Sequence, residues 1–368
     1  MIKFLDLQKI NAPYENVFQQ KLKSILDKGW YILGEEVQEF EKNFADYCKA
    51  NHCIGVGNGF DALTLIFKAQ IQLGILKKGD EVIVPANTYI ATILSILQAD
   101  LVPVLVEPKL ETYNINADLI QDKITSKTKA ILAVHLYGQL AEMDKINEIA
   151  IQNNLIIVED AAQSHGAISN QQSKTSNQKS SLAYSFYPGK NLGTLGDGGA
   201  IITNDDELAK VLFSLRNYGS EVKYYNDYIG INSRLDELQA AFLNVKLPNL
   251  NADNECRRTI AKRYLSEIKN DKITLPFWDF SNNHVFHLFV IRTEKRNDLQ
   301  KYLKQNGIET MVHYPIPPHK QKALKNLNHL SFPITEKIHN EVLSLPISPV
   351  MTIDEVDFVI QKLNSWTS

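Results

Sequence analysis

The stretch LAYSFYPGKNLGTLGDGGAIIT (182–203) carries the strongest indication of the fold. It holds two short apolar runs, separated by a Pro188-Gly189 turn, by Lys190 and by a glycine-rich segment. Apolar runs of this length on either side of turn residues predict two strands, with Lys190 just beyond the carboxyl end of the first. Because the turn can aim its side chain inward, Lys190 is the first candidate for a functional residue.

A second candidate, Asp160, ends the apolar run within LIIVEDAAQSHG (155–166). A lysine and a carboxylate at two strand ends suit a cofactor with an aldehyde and a ring nitrogen. The lysine forms an imine with the aldehyde, and the carboxylate keeps the nitrogen protonated. This pairing predicts pyridoxal phosphate. The residue type of Asp160 also fits a helix N-cap, and Gln163 also fits a residue that reaches back to such a cap.

The rest of the chain alternates short apolar runs with segments of helical length, for example 60–72 and 142–153. This pattern predicts an α/β fold, with a mostly parallel sheet of seven strands covered by helices on both faces. In such sheets ligands bind beyond the carboxyl ends of the strands, where Asp160 and Lys190 fall. The predicted strands are 53–56, 81–85, 102–106, 130–135, 155–158, 182–187 and 199–203.

The alternation of apolar runs and helical segments changes near Pro248, which interrupts a long helical pattern. Beyond it a helix, a strand at 284–292 and a helix at 295–307 predict a smaller α+β unit. We therefore expect a large α/β domain over 1–248, which binds the cofactor, and a small C-terminal domain over 249–368.

Bulk composition excludes several classes of function. The chain has 368 residues, 44% of them hydrophobic and 22% charged, and a net charge of −3. This profile is typical of a soluble globular protein, so neither nucleic acid nor a membrane is expected as a partner. Three cysteines without ligand spacing predict no metal site and a reducing, cytoplasmic location. The first residues do not resemble a signal peptide.

A place for the cofactor phosphate is predicted at GVGNGFDAL (55–63), where a strand passes through glycines into a helix. The backbone N–H groups of Asn58 and Gly59 would lie at the helix N-terminus, which favours a dianion. Ser185 can add a hydroxyl. Tyr89 can stack on the cofactor ring, although a core aromatic is an equal alternative. The GxxxxGK[ST] spacing of a nucleoside-triphosphate loop is absent around Lys190.

Ten stretches, in order along nearly the whole chain, share their sequence pattern with one enzyme family. They are FLDLQ (4–8), GWYILG (29–34), GVGNGFDAL (55–63), EVIVPANTYIAT (81–92), HLYGQ (135–139), EDAAQSHGA (159–167), SFYPGKNLGTLGDGGAI (185–201), RNYGS (216–220), GINSRLDELQAA (230–241) and VHYPIPPHKQ (312–321). The chain resembles the DegT/DnrJ/EryC1/StrS nucleotide-sugar aminotransferases. The resemblance implies pyridoxal-phosphate fold type I, which is the aspartate aminotransferase-like fold.

The resemblance also implies roles for single residues. Lys190 would carry the imine and move the proton. Around the cofactor ring, Asp160 would contact the nitrogen, Gln163 the oxygen and Tyr89 the ring face. The phosphate would be bound by Ser185, by the Asn58–Gly59 turn and by Asn232 of a neighbouring subunit, and the sugar nucleotide by His313, Tyr314, Tyr31 and Tyr187. The role of Asn232 implies a homodimer with shared active sites. Arg216 and Arg234 are both open candidates for the carboxylate of the amino donor.

The implied reaction moves an amino group from glutamate to a nucleotide-linked keto sugar. The GVGNG and HYPIPPH segments most resemble enzymes that act on the 3-keto carbon of dTDP-linked 6-deoxyhexoses. A 4-keto aminotransferase, a regulator that binds the cofactor without turnover and a plain sugar-nucleotide binding protein are the alternatives. One stretch departs from the family pattern: the polar run SNQQSKTSNQKSS (169–181), which predicts a solvated surface loop.

Overall fold

The computed structural model describes residues 1–168 and 180–367. All seven predicted strands of the central sheet are present, with ends that differ from the predicted ones by up to two residues. They are β1 (His52–Val56), β2 (Glu81–Pro85), β3 (Val102–Val106), β4 (Thr128–Val134), β5 (Ile156–Asp160), β6 (Ser180–Ser185) and β7 (Gly199–Thr203).

The sheet has the strand order β1-β7-β6-β5-β4-β2-β3. Neighbours from β6 through β3 pair in parallel, whereas β7 runs antiparallel to both β6 and β1. The predicted mostly parallel sheet is therefore confirmed. Its central strands β5 and β6 lie side by side, with Asp160 opposite Ala183. Their carboxyl ends consequently meet at one edge of the sheet.

Helices cover both faces of this sheet, and the alternation of strand side chains explains why. Val82 and Val84 point into one cluster with α4, α5 and α7, whereas Ile83 between them points into a cluster on the opposite face with α6. Strands buried on both faces are mostly apolar, and polar residues occur near their ends, as in β5 and β6. The helices of this part are α1 (Leu7–Asn11), α2 (Glu15–Lys28), α3 (Glu35–Cys48), α4 (Gly59–Gln72), α5 (Ile90–Gln98), α6 (Met143–Gln152), α7 (Asp206–Leu215) and α8 (Glu237–Lys246).

The C-terminal part has its own hydrophobic cluster around a two-stranded antiparallel sheet. Ile2 joins this cluster and pairs with Ile308. Pro248 lies in a 3-10 turn that joins α8 directly to the next helix, so the division between 248 and 249 stays a prediction. The elements are α9 (Leu250–Glu267), β8 (Phe289–Arg292), α10 (Arg296–Gln305), α11 (Pro333–Glu341), β9 (Val342–Leu345) and α12 (Ile353–Ser365).

Short 3-10 turns complete the described structure. They are Ala12–Tyr14, Ala117–Leu119, Gln121–Lys123, Leu136–Gly138, Leu247–Asn249, Pro318–Lys320 and Lys322–Leu327. Across both described ranges, no helix combines the length and the apolarity that crossing a bilayer requires.

Two local predictions were wrong. Ser180 and Ser181 are not in a surface loop: they are buried in β6 and pair with Ile157 and Val158 of β5. Backbone pairing outweighs side-chain polarity there; the other positions of the polar run, 169–179, lie outside the described residues. The strand predicted over 284–292 begins only at Phe289, because the backbone before it bonds elsewhere: Val285 N–H donates to Gly138 O and Leu288 N–H to Tyr137 O.

A buried carboxylate fixes the start of α3. Glu237, at the start of α8, is 3% exposed and accepts backbone N–H groups of Gly34 (2.7 Å), Glu36 (3.0 Å) and Val37 (3.0 Å). The N-terminus of a helix leaves such N–H groups without partners inside the helix, so this carboxylate replaces an N-cap side chain. Since Glu237 N–H also donates to Tyr31 O, the contact holds the 31–37 segment against α8.

We expect Glu237→Gln to lower the free energy of unfolding by about 1.5–3 kcal/mol, the range for hydrogen bonds to a charged group. The amide keeps one acceptor and places an N–H group against other N–H groups. Urea denaturation measures the effect, and Glu39→Gln on the exposed face of α3 is the matched control. Equal stability of the two variants would contradict this role of Glu237.

Candidate active site

Lys190 and Asp160 come together at the carboxyl edge of β5 and β6. Asp160 is the last residue of β5, and Lys190 lies in the turn after β6, where its N–H donates to Tyr187 O at 2.8 Å. Burial lowers the pKa of Lys190 to about 8, and the charge of Asp160 opposes that shift. Burial likewise raises the pKa of Asp160, against hydrogen bonds and the charge of Lys190. The amine and the carboxyl group therefore share one buried region.

The Asp160 carboxylate is held on two sides. Oδ2 accepts from Thr92 Oγ1 at 2.8 Å, and Oδ1 accepts from the N–H of Ala162 at 3.2 Å. Thr92 in turn pairs with Thr88 through their hydroxyl groups at 2.8 Å. No helix begins in 161–168, so the alternative of a helix N-cap is wrong for Asp160. The two contacts fix the orientation of the carboxylate.

Gln163 joins two other segments at this edge. Its Oε1 accepts the N–H of Tyr137 at 2.6 Å, and its Nε2 donates to the hydroxyl of Tyr314 at 3.1 Å. It therefore does not reach back to a cap. The rings of Tyr89 and Tyr314 lie 5.2 Å apart, and Tyr89 is 52% exposed. Tyr89 is thus not a core aromatic, and its ring is accessible to a ligand.

The start of α4 packs against the end of β6. A Cβ on Gly59 would lie 2.7 Å from Ser185 Cβ, so only glycine allows this approach. Asn58 caps α4: its Oδ1 accepts the N–H of Asp61 at 2.8 Å, which commits the amide to the helix. The start of α4 and Ser185 therefore lie next to each other, and their role in binding a phosphate stays a prediction.

Ser233 also belongs to this corner, and sequence reasoning missed it. Its hydroxyl accepts the N–H of Gly57 at 3.0 Å and donates to Asp61 Oδ2 at 2.7 Å. The neighbouring Asn232 is exposed, and its backbone forms an isolated bridge with Asn217. Ser233 could have been found from the sequence, because it lies between Asn232 and Arg234 in the GINSRLDELQAA stretch (230–241).

The structure brings His313, Tyr314 and Tyr187 close to Lys190, whereas no described contact joins Tyr31 to it. His313 Nδ1 pairs with Ser344 Oγ at 2.8 Å, and Tyr137 donates its hydroxyl to His313 O. Burial, helped by the charge of Lys190, lowers the pKa of His313 to about 4. Tyr187 is exposed within the Lys190 turn. Tyr31 is exposed beside α8, and none of the described contacts joins its ring to Lys190.

Two further histidines near Lys190 were not predicted. Burial lowers the pKa of His165 to about 3 and that of His287 well below its ordinary value, and the charge of Lys190 adds to both shifts. Neutral imidazoles surround the amine without adding positive charge. His165 lies in the EDAAQSHGA stretch and His287 in the apolar run before β8, but nothing in their residue type or spacing distinguished them from structural histidines.

The structure separates the two arginines left open for the amino donor. Arg216 is buried, donates to the Glu41 carboxylate and donates to Gly55 O at 2.7 Å. Its charge is therefore already paired. Arg234 donates to Asn217 Oδ1 at 3.0 Å and lies over the ring of Tyr218, without an acidic partner among the described contacts. Arg234 is the better candidate for an incoming carboxylate.

Comparison with known proteins extends this geometry. Residues 14–364 match the model of the DegT/DnrJ/EryC1/StrS aminotransferase family. The chain is 56% identical over 366 residues to a dTDP-3-amino-3,6-dideoxy-alpha-D-galactopyranose transaminase of Aneurinibacillus thermoaerophilus, covering 100% of this chain and 99% of the relative. It is 43% identical to a dTDP-3-amino-3,4,6-trideoxy-alpha-D-glucose transaminase of Streptomyces venezuelae, over 99% of this chain and 96% of that one.

A solved structure agrees over the whole chain. The crystal structure of S. venezuelae DesV in complex with a ketimine intermediate matches with a TM-score of 0.94 and 42% identity, covering 99% of this chain and 98% of that one. The expected fold type I is confirmed. A family model that spans nearly the whole sequence, and relatives aligned from end to end, leave one assignment: the chain belongs to the DegT/DnrJ/EryC1/StrS aminotransferase family.

Proposed function

We propose that the chain is a pyridoxal-phosphate-dependent aminotransferase that moves the amino group of L-glutamate to the 3-keto carbon of a dTDP-linked 6-deoxyhexose. The product is a dTDP-3-amino-3,6-dideoxyhexose. The buried pair of Lys190 and Asp160, at adjacent strand ends of a chain aligned throughout with sugar-nucleotide transaminases, carries the proposal. The names of the A. thermoaerophilus and S. venezuelae relatives share the dTDP group and the 3-amino position and differ in the sugar. This agreement favours C3 as the carbon that receives the amino group.

The residues at the site fit the cofactor. Its phosphate suits the start of α4, where glycine alone allows Gly59 to approach Ser185 and where backbone donors face one point. Tyr89, whose ring is exposed, would contact the cofactor ring, and the Asp160 carboxylate, oriented by Thr92 and Ala162, would contact the ring nitrogen. Gln163 would hydrogen-bond the ring oxygen, and Lys190 would bind the aldehyde.

Lys190 and Asp160 have different roles in the proposed reaction. Bound pyridoxal phosphate supplies an electron sink for the carbon that loses or gains a proton. Lys190 Nζ takes that proton and returns it, since an amine with a pKa of about 8 exchanges protons readily near neutral pH. Asp160 holds a proton on the ring nitrogen by its negative charge.

Substrate contacts are proposed for the residues that surround this space. His313 is neutral and Tyr314 is fixed by Gln163, so both can hydrogen-bond a sugar without a charge. Tyr31 and Tyr187 are exposed aromatic rings that suit the base or sugar. Arg234 is proposed to bind the carboxylate of glutamate.

A homodimer with shared active sites is part of the proposal. Asn232 is exposed beside Ser233 at the phosphate corner, and exposed aromatic residues are frequent around it, at Tyr218, Tyr224 and Tyr225. Such rings outside a core are typical of interfaces. A cytoplasmic location and a role in making lipopolysaccharide or another glycan remain predictions from the sequence and the resemblance.

Gly59→Ala should weaken cofactor binding. The added methyl group would lie 2.7 Å from Ser185 Cβ and 3.2 Å from Ser185 Cα, so the start of α4 must move off β6. We expect the dissociation constant of pyridoxal phosphate to rise about ten-fold or more, because losing one charge-assisted contact costs at least about 1.4 kcal/mol. Absorbance titration measures it, and Ser185→Ala, which removes a hydroxyl without crowding, should have a smaller effect.

The proposed substrate is tested by steady-state assays of the purified protein with glutamate and either dTDP-3-keto- or dTDP-4-keto-6-deoxyhexose. Activity on the 3-keto sugar is expected. Activity on the 4-keto sugar alone, or on UDP- or GDP-sugars alone, would show that the proposed substrate is wrong and that the proposed aminotransferase reaction is right. A protein that binds the cofactor and turns over none of these sugars would instead support the regulator.

A further inference from the structure

Asn254 of α9 connects the two segments that carry the proposed chemistry. Its Nδ2 donates to His165 O at 2.8 Å, in the segment that follows Asp160 and Gln163. Its Oδ1 accepts from Asn191 Nδ2, also at 2.8 Å, in the residue next to Lys190. Asn254 is 1% exposed. One buried amide therefore bonds to the chain after β5 and to the chain after β6 at the same time.

Asn191 completes the connection to the C-terminal part. The same Nδ2 donates to Val285 O at 3.0 Å, and Oδ1 pairs with His287 Nδ1 at 3.3 Å. Since Nδ2 has two hydrogens, both are used and both cross to distant segments. The Lys190 turn is thereby bound from outside by α9 and by the stretch before β8.

The backbone is shaped to let Asn254 in. Gly166 has φ +82°, which L side chains rarely adopt, and a Cβ there would lie 2.7 Å from Asn254 Nδ2 and 2.5 Å from the hydroxyl of Tyr47. The positive φ and the nearer Tyr47 hydroxyl also require glycine here, and the Asn254 amide uses the same opening to reach this backbone. The close approach indicates that this contact sets where the segment after Asp160 runs.

We propose that Asn254 is a positioning residue that, through Asn191, fixes the Lys190 turn against the Asp160–Gln163 segment. It touches neither cofactor nor substrate in this proposal. Its amide sets how far apart the amine and the carboxylate are held, and it keeps the turn closed over the amine. The inference rests on the proposed function only in naming pyridoxal phosphate as the molecule that Lys190 and Asp160 bind.

The consequence is readable at Lys190 itself. The ionisable groups that face it are Asp160 from β5, His165 after β5, His287 before β8 and His313 before β9. Only Asp160 raises its pKa; burial dominates and lowers it. A turn released from Asn254 admits water to the amine, and the pKa of Lys190 then moves back up toward its ordinary value.

The experiment measures the acetylation rate of Lys190 against pH in cofactor-free protein, with acetic anhydride as probe and peptide mass spectrometry to resolve the site. The wild-type midpoint is expected near pH 8. Asn254→Ala and Asn191→Ala should each raise it by about one unit, so that acetylation at pH 8 slows about five-fold. The double variant should shift it no further than the larger single change, because the two amides form one chain.

Asn270→Ala is the matched control. Asn270 donates to Leu363 O and Trp366 O at 2.8 and 2.9 Å and accepts the N–H of Lys272 at 3.1 Å, so its loss removes three hydrogen bonds away from the site. It should lower the melting temperature without moving the Lys190 midpoint. A midpoint unchanged in both site variants, with only a lower melting temperature, would overturn the proposal. If Asn254→Ala does not fold, Asn191→Ala, which keeps the His165 contact, decides alone. Because no turnover is measured, failure of the proposed reaction would not affect this result.

Discussion

Lys190→Ala should lower kcat for transamination by about four orders of magnitude, the upper range for losing a positioned acid–base group. The side chain that holds the cofactor aldehyde and moves the proton is gone, whereas Asp160, Thr92 and the start of α4 remain. The protein should therefore still bind pyridoxal phosphate, but with the spectrum of the free aldehyde. Stopped-flow absorbance after addition of glutamate measures the loss.

Two controls separate chemistry from folding. Lys190→Arg keeps a positive charge but not an amine that can lose its proton near neutral pH, so it should be nearly as inactive. Lys246→Ala removes another lysine whose pKa burial lowers to about 8, one that donates to Gly193 O and not to the site. It should lower the free energy of unfolding and leave the rate of proton transfer close to that of the wild type. Substantial activity in Lys190→Ala would remove the lysine from the mechanism.

The sequence was sufficient to predict the sheet and the central pair. Strands buried on both faces are mostly apolar, so a carboxylate and an amine that end two such runs are easily recognised as candidates. Asp160 alone also fitted a helix N-cap, and its pairing with Lys190 at a second strand end made the two residues stand out. The same logic predicted the start of α4 from its glycines.

The connections between distant segments could not be predicted. Ser233, Asn254 and His287 act through partners far away in the chain, and their residue types are common on any surface. Arg216 shows the converse. It appeared free in the sequence, but Glu41 pairs with it in a buried contact, and only the folded arrangement reveals that its charge is already used.

The substitution Asp160→Asn should separate activity from stability. Without the carboxylate, the ring nitrogen loses the charge that holds its proton, and kcat should fall about 10²- to 10³-fold, the usual effect of removing one electrostatic stabiliser. The pKa of Lys190 should also fall, since Asp160 raises it. The pH dependence of the glutamate half-reaction measures both effects. Asp160→Glu keeps the charge and should retain more activity than the amide.

Cofactor-free Asp160→Asn should nevertheless be more stable than wild type at pH 7. The folded pKa of Asp160 is raised by burial, even with Lys190 nearby, so the folded protein keeps this proton at pH values where the unfolded chain has lost it. Stability then falls as pH rises from about 4, the unfolded value, through the folded pKa, and it stays reduced above it. Asparagine has no charge to bury, and its amide can donate to Thr92 Oγ1 while that hydroxyl donates to Thr88. Melting temperatures should therefore nearly coincide at pH 4 and diverge in favour of the variant at pH 7. A variant that is less stable than wild type at pH 7 would mean that the carboxylate is held for folding rather than for a ligand.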